Sequence, residues 1–559
     1  MLVRSRQLNL VKPSELNQSM QFSDPNWWRG ATLYQIYPRS FADSNGDGIG
    51  DLKGVTSKLD YVAELGVDGI WLSPFFASPQ RDFGYDVSDH CAIDPMFGDM
   101  RDFDALIAKA HALGLKVIID QVWSHTAIEH AWFQESRQSR TNPKADWYVW
   151  ADPLCDGSCP TNWQSWMGGG TWTWEPRRGQ YYLHNFLPQM PDLNFHCQEV
   201  RKAILDIGRF WLERGVDGFR LDTVNYYFHD KQLRNNPPKP GESPATMQRH
   251  IYNVCQPENL PFLKQIRALL NEFPGRFVVG EIGSDDNLAR MIEYTAGSDH
   301  LHTAYSFQLL SNRADPKHFS EAMVPWTKGL GALAWPSWAL SNHDCERVAS
   351  RWELDAPSDQ VAQFALALLL ALRGTVFLYQ GEELGLTQAE LRFEDLKDPL
   401  GIASWPANKG RDGCRTVLPW LHDQAFMGFS DTKPWLPVIE GHRDQSIDLQ
   451  SKNRASVLAF AKLAIRLRQS SSALRYGDFK VLHEDGSCLI FSRNCSGETC
   501  LAGFNFSGQT QIVPTSKSLV DQPALTVGRV SVGRKEITLG PVSAFLVSLP
   551  SLSSQGFFP

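Results

Sequence analysis

Short apolar runs alternate along the chain with longer stretches in which apolar residues recur at helical spacing. The runs are ATLYQIYPRSF (31–41), GVDGIWLSPFF (66–76), LKVIIDQV (115–122), VDGFRLDTV (216–224), RFVVGEIG (276–283), LHTAYSFQLL (301–310), ALAWPSWALSNHD (332–344) and TVFLYQGEELG (375–385). Between the early ones lie VTSKLDYVAELG (55–66), RDFDALIAKAHALG (101–114) and RKAILDIGRFWLERG (201–215), each with a helical apolar face. Near-continuous apolar strands suit a sheet covered outside by helices and filled within. The pattern therefore predicts an α/β fold, a closed (β/α)8 barrel rather than an open sheet. Residues 364–372 (FALALLLAL) read as a helix buried against that sheet, being far short of the ~20 residues a membrane helix needs.

Two segments break the alternation. Residues 123–197, rich in Trp, Gly, Pro and Asn, are too long for a loop and predict an inserted domain after the third strand. Beyond the helical stretch ASVLAFAKLAIRLRQ (455–469), FKVLHED, CLIFSRN, TCLAGFNF, QIVPT and AFLVSL alternate with turn signals such as EDGS and CSGE. That predicts a terminal antiparallel β-domain. The expected organisation is an arm over 1–24, the barrel over 25–122 and 198–474, the insert over 123–197 and the β-domain over 475–559.

Composition narrows the function. A chain of 559 residues is too long for one core. A net charge of −8 argues against nucleic acid, since phosphate binding wants a basic surface. Residues 1–24 carry Arg4, Arg6 and Lys12 but no apolar stretch of the export type, so a cytoplasmic protein with no membrane partner and reduced thiols is expected. Of the ten cysteines, Cys155/Cys159 and Cys495/Cys500 are close enough in sequence to close small loops under oxidising conditions, while a lone CxxxC is weak grounds for zinc. Nineteen tryptophans supply packing, and aromatic faces that suit sugar rings.

Polar residues of the kind that do chemistry fall at the C-terminal ends of the predicted strands, where barrel enzymes build their sites. Arg220 and Asp222 sit one residue apart on a strand, so both point to one face. Glu281 ends the fifth strand, His125 follows the third, and His343 and Asp344 end the seventh. A single strand-end carboxylate reads as a helix cap. Three carboxylates, two histidines and an arginine at one barrel mouth read as a catalytic cluster, with a purely structural network as the bland alternative.

These residues carry a resemblance. DGFRLD (217–222), VVGEI (278–282) and SNHD (341–344), with DQVWSH (120–125) and MPDLN (190–194), resemble the conserved regions of glycoside hydrolase family 13, the α-amylase family. YQIYPRSF, DSNGDGIGDLKGV, GYDV (84–87) and GRDGCRT (410–416) narrow the likeness to its α-glucosidase and oligo-1,6-glucosidase branch, from about Trp27 to the C-terminus. The resemblance implies a barrel with an inserted domain and a C-terminal β-domain. It also implies a retaining hydrolase in which Asp222 is the nucleophile, Glu281 the acid and base, and Asp344 the third carboxylate that grips the sugar. It further implies that Asp82 and Arg411 clamp the non-reducing end, making the enzyme exo-acting. Tyr85 stacks on the ring, His125 and His343 donate to hydroxyls, and Arg220 orients Asp222. Phe186 and Phe307 line the site. Thr223, the residue after the nucleophile, is in this branch associated with α-1,4 bonds. Substrates are then small α-glucosides such as maltose, sucrose, short maltooligosaccharides and aryl glucosides, with water or a second sugar as acceptor. A transglucosidase or sucrose-active enzyme is the alternative on this scaffold, although the RLDRD sequence of sucrose-rearranging relatives is absent. The remote alternative is a non-catalytic transporter ancillary chain.

Two departures stand out. Ser124 occupies a position where most of the family has Asn, which removes a ligand from the calcium site between barrel and insert, so no cation is expected there. Met167 stands where relatives usually carry Phe. A different loop, DSNGDGIGD (43–51), spaces Asp43, Asn45, Asp47, the Ile49 carbonyl and Asp51 like the first ligands of a calcium loop. Gly54 at the twelfth position excludes an EF-hand, and the resemblance implies a structural Ca²⁺ or Mg²⁺ there. No organic cofactor is expected, and the assembly is a monomer or homodimer.

Overall fold

The computed structural model describes residues 24–516 and 522–550; the expected arm lies outside them except for Asp24. Eight strands build one sheet: β1 (Thr32–Ile36), β2 (Gly69–Leu72), β3 (Lys116–Gln121), β4 (Gly218–Leu221), β5 (Phe277–Ile282), β6 (Thr303–Ser306), β7 (Ser337–Ala339) and β8 (Thr375–Tyr379). All pairings are parallel, in the order β6-β5-β4-β3-β2-β1-β8-β7. A parallel bridge from Ala304 to Pro336 joins the two ends and closes the barrel. The strands are buried on both faces, which is why they read as unbroken apolar runs.

Helices α1 (Leu52–Leu65), α2 (Met100–Ala112), α3 (Gln198–Glu213), α4 (Asn259–Asn271), α5 (Asn287–Thr295), α6 (Pro316–Met323), α7 (Ser358–Ala371) and α8 (Val457–Ser470) lie outside. Asp51 caps α1 through Gly54 N–H, and Asp99 with Asp102 forms a capping box on α2. Gly218 opens β4 because a Cβ there would lie 1.9 Å from the Phe277 carbonyl oxygen. That close approach sets the β4/β5 register, in which Arg220 faces Val279, while on the other side it faces Asp120 of β3.

The segment after β3 carries a three-stranded sheet of Trp150–Ala151, Trp172–Glu175 and Gln180–Leu183 over a small core that includes Trp163 and Trp172. Its short helix Ala131–Ser136 was not expected from sequence, nor was the antiparallel pair Phe76–Ala77/Asp89–Ile93 after β2. A long excursion between β4 and α4 also escaped the periodicity. It docks on the insert through Asn162, Asn236 and Gln248. The C-terminal part forms a five-stranded and a three-stranded antiparallel sheet, against which α7 packs through Phe364, stacked edge-on to Phe504 and Phe506. The ten cysteines, including the two close pairs, are free thiols. Among the described residues no helix is long and apolar enough to cross a membrane.

Candidate active site

The C-terminal rim of the barrel opens into a cavity of about 450 Å³. Its wall contains Asp82, Tyr85, His125, Phe186, Asp222, Thr223, Glu281, Phe307, Asp344 and Arg411, ten of the residues singled out from sequence. Asp222 and Glu281, on neighbouring strands, therefore face one space. Arg220 and His343 stand behind this wall, fully buried.

Arg220 is the hub. Its Nη1 donates to Asp120 Oδ1 (2.7 Å) and Asp222 Oδ1 (2.8 Å), its Nη2 lies 2.6 Å from Glu281 Oε1, and Tyr305 Oη accepts from Nε. One cation thus serves three carboxylates. Burial raises the pKa of Glu281 and of Asp222, each to about 7, and Arg220 only partly offsets this. With three acids around one guanidinium, retaining a proton in the cluster relieves the mutual repulsion. The desolvation cost of burying this guanidinium is thereby offset by three carboxylates and the Tyr305 hydroxyl.

Asp344 behaves oppositely. Burial alone would raise its pKa, but His343, Arg411, Arg415 and Arg220 outweigh it and hold the carboxyl below its ordinary range. Arg415 Nη2 donates to Asp344 Oδ1 at 3.0 Å and Arg411 Nη1 at 3.3 Å. Arg411 also donates to Asp82 Oδ1 (2.5 Å) and Asp398 Oδ1 (2.8 Å), closing one end of the cavity with a buried ion-pair cluster.

The histidines are already engaged. Gln35 Nε2 donates to His343 Nδ1 (2.8 Å), and His343 Nε2 meets Tyr85 Oη (2.6 Å) and Asp344 Oδ2 (3.2 Å). Burial lowers its pKa to about 3, so the ring is neutral. Tyr85 stacks on it at 5.2 Å. His125 has Ser124 Oγ at Nδ1 and the Tyr85 carbonyl at Nε2. Both histidines thus hold Tyr85 from behind, and neither has a ring nitrogen free of a protein partner. Phe186 packs between His125 and Tyr226, and Phe307 stands at the mouth, 36% exposed. Thr223 adopts a left-handed backbone (φ 41°), rare for a β-branched residue. The twist aims its N–H at Glu281 Oε2 (3.2 Å), while its hydroxyl lies 3.2 Å from Asp222 Oδ2.

Sequence reasoning did not single out Asp120, Tyr305, Asp398 or Arg415. A charge inside the apolar run KVIIDQV was a usable signal for Asp120. Arg415 lies within GRDGCRT (410–416), a motif of the family resemblance, while Tyr305 in an apolar strand and Asp398 in an aperiodic segment gave none.

The 43–51 loop uses its acids internally. Asp43 accepts from the N–H groups of Asn45, Gly46 and Gly48 and from Ser430. Both oxygens of Asp51 are taken by Ser44, and one also by the N-terminus of α1. Among the described residues no three acidic, histidine or cysteine side chains converge as cation ligands.

Comparison with known proteins agrees with this architecture. The family model described as "Alpha amylase, catalytic domain" matches residues 35–477. The chain is 50% identical over 512 residues to a "Probable alpha-glucosidase" of Rhizobium meliloti, covering 89% of this chain and 92% of that protein. It is 36% identical to an "Oligo-1,6-glucosidase" of Heyndrickxia coagulans, over 87% and 93% of the two. Among solved structures it is similar to the α-glucosyl transfer enzyme XgtA (TM-score 0.90, 49% identity, 93% of this chain and 99% of that one). It is also similar to the trehalulose synthase MutB (TM-score 0.86, 30% identity, 94% and 100%).

Proposed function

The chain belongs to the α-amylase family of glycoside hydrolases, and we propose that within it the protein is an exo-acting retaining α-glucosidase acting on the α-glucosidic bonds of short substrates such as maltose, sucrose and aryl glucosides, with a preference for α-1,4 among the glucose–glucose linkages. The observation that carries this reading is that Asp222 and Glu281, both bound to Arg220, open into one cavity whose end is closed by Asp82 and Arg411. Asp222 attacks the anomeric carbon while Glu281 gives its proton to the leaving oxygen, so the glycosidic bond breaks as a glucosyl ester forms. Glu281 then takes a proton from water, which attacks the same carbon and releases Asp222. The raised pKa of Glu281, about 7, suits this exchange, since one proton must sit on it in the first step and be absent in the second. Asp344, held ionised by its arginines, accepts from sugar hydroxyls and stabilises the cationic transition state. Thr223 supports the α-1,4 preference.

Asp222→Asn and Glu281→Gln are each expected to lower kcat on maltose by at least ~10³-fold. A glucosyl adduct on Asp222 should be trapped by mass spectrometry in the Glu281 variant with an activated aryl glucoside. Unchanged turnover in Asp222→Asn sinks the reading.

A second reading, transfer of the glucosyl group to a sugar acceptor, draws support from the likeness to an α-glucosyl transfer enzyme and from the exposed faces of Trp166 (38%) and Phe307 (36%) at the cavity mouth. Resolving products from concentrated maltose separates the two, since transfer yields trisaccharide and hydrolysis glucose alone. A structural Ca²⁺ or Mg²⁺ in the 43–51 loop belongs to the proposal, on Asp43, Asn45, Asp47, the Ile49 carbonyl and Asp51. Bound at a hundredfold excess over its Kd, such an ion stabilises by about 2.7 kcal/mol. Tm should therefore fall on chelation and recover with the metal, and an unmoved Tm removes the ion from the account. Cytoplasmic residence and a monomeric or dimeric state complete the proposal, checked by cell fractionation and light scattering.

A further inference from the structure

A row of short contacts runs from the Tyr85 carbonyl to the nucleophile. The carbonyl lies 3.0 Å from His125 Nε2, His125 Nδ1 lies 2.8 Å from Ser124 Oγ, and Ser124 Oγ lies 2.9 Å from Thr223 Oγ1. Thr223 Oγ1 lies 3.2 Å from Asp222 Oδ2. Counting hydrogens along this row fixes its direction. A carbonyl only accepts, so Nε2 carries the hydrogen of the imidazole. Burial lowers the His125 pKa to about 4, which leaves Nδ1 a bare acceptor at neutral pH. Ser124 spends its one hydroxyl hydrogen there. Thr223 has one hydrogen and two acceptors in reach, Ser124 Oγ at 2.9 Å and Asp222 Oδ2 at 3.2 Å, and the shorter contact takes it. Nothing is left for the last contact while Asp222 is ionised.

We propose that Ser124 is a positioning residue that turns the Thr223 hydroxyl away from Asp222 Oδ2, so that the nucleophile oxygen not held by Arg220 keeps a free lone pair for attack. The inference rests on the reading of Asp222 as nucleophile. The left-handed turn at Thr223 serves this arrangement, because it places one residue's N–H on Glu281 and its hydroxyl between Ser124 and Asp222. Asp222 is also faced by Arg220 on its own strand, Asp120 of β3, Glu281 of β5, Asp344 after β7, Tyr85 after β2 and Tyr227. The other titratable ring near His125 is His90. None of these changes when Ser124 does, so a shift on its removal reports the hydroxyl alone.

The test is the pH profile of kcat/KM, whose acid limb follows ionisation of the free enzyme's carboxyl pair. In Ser124→Ala, Thr223 is released to donate to Oδ2, which favours the carboxylate. The acid limb is expected to move down by about one pH unit, and kcat to fall about tenfold. Thr223→Val is expected to leave the limb in place, because its hydroxyl gives Asp222 no hydrogen in the wild type. The double variant should match Thr223→Val, and Ser124→Thr should restore the wild-type limb. An upward shift in Thr223→Val overturns the proposal even where Ser124→Ala fails to fold, and so does an equal downward shift in the single and double Ser124 variants or no shift at all. Turnover that survives in Asp222→Asn instead sinks the underlying reading, a different result from an unmoved acid limb in an enzyme that needs Asp222.

Discussion

At the residue scale the site rests on how few cations hold many carboxylates. Arg411 spans Asp82, Asp398 and Asp344, and its guanidinium geometry lets one side chain meet three acids. Arg411→Ala strands those charges in a buried corner, and removing one partner of a buried pair costs about 3–5 kcal/mol. Loss of stability is therefore expected together with a rise in KM for maltose of ~10-fold or more, since this corner closes the end of the cavity where the proposal seats the glucose unit. Thermal unfolding and initial rates measured on one preparation check both. An Arg411→Ala enzyme with wild-type KM contradicts a clamp at that position. Much of this was legible: the spacing of Arg220 and Asp222 put both on one strand face, and strand-end position drew in Glu281 and Asp344. What was not legible was the supporting layer. Tyr305 meets Glu281 through register with β5, His343 takes Gln35 of the distant β1, and His125 takes the Tyr85 carbonyl from the segment after β2. Such pairings follow from closing the barrel, which no local pattern encodes.

At the element scale, helix α7 shows how the barrel and the C-terminal sheet are joined. It is apolar around its circumference, as expected of a helix enclosed on all sides. Its end is held by two buried arginines, Arg468 and Arg493, which bond to backbone carbonyls there. Arg468 Nη1 donates to the Leu370 and Leu372 carbonyls (2.6 and 3.1 Å), and Arg493 Nη1, from the C-terminal sheet, donates to the Ala371 carbonyl (2.7 Å). These carbonyls have no partner within the helix, and their partial negative charge suits a cation. Phe364 adds the apolar half of the joint. Phe364→Ala should destabilise the protein by about 3–5 kcal/mol, with the C-terminal sheet becoming protease-sensitive before the barrel. A single cooperative loss by both measures instead means that the sheet and barrel unfold as one unit. The apolar run at 364–372 announced a buried helix from sequence. The arginine caps were silent, because Arg468 continues an amphipathic pattern and Arg493 sits in an alternating strand. Conversely, ALAWPSWALSNHD overstates β7, which keeps three residues because Pro336 cannot donate to a ladder.

At the scale of the whole molecule, stability carries the imprint of the buried acids. Burial raises Asp222 and Glu281 to about 7, Asp192 to about 7 and Glu382 to about 8. Each folded-state value lies above that of the unfolded chain, so the native state holds protons that the unfolded state has released. Their stabilising contribution is complete below about pH 4 and is lost progressively as pH rises to about 8. Asp344 and Asp398 work the other way, held low by Arg411 and Arg415 against the pull of burial, and withdraw their support on acidification. Tm should therefore decline from pH 5 to pH 8.5, and Glu382 offers a clean handle on the decline. It sits after β8, away from the cavity wall, with Oε2 bound by the Tyr379 N–H and Oε1 buried without a partner. Glu382→Gln keeps the shape, replaces a carboxyl that the fold prefers neutral, and cannot ionise. The variant is expected to match wild type near pH 5 and to exceed its Tm by several degrees at pH 8.5, with kcat on maltose unchanged. Parallel Tm curves for the two proteins across that range would mean that Glu382 does not titrate there, and that the alkaline loss belongs to Asp192 and the carboxyls of the barrel mouth.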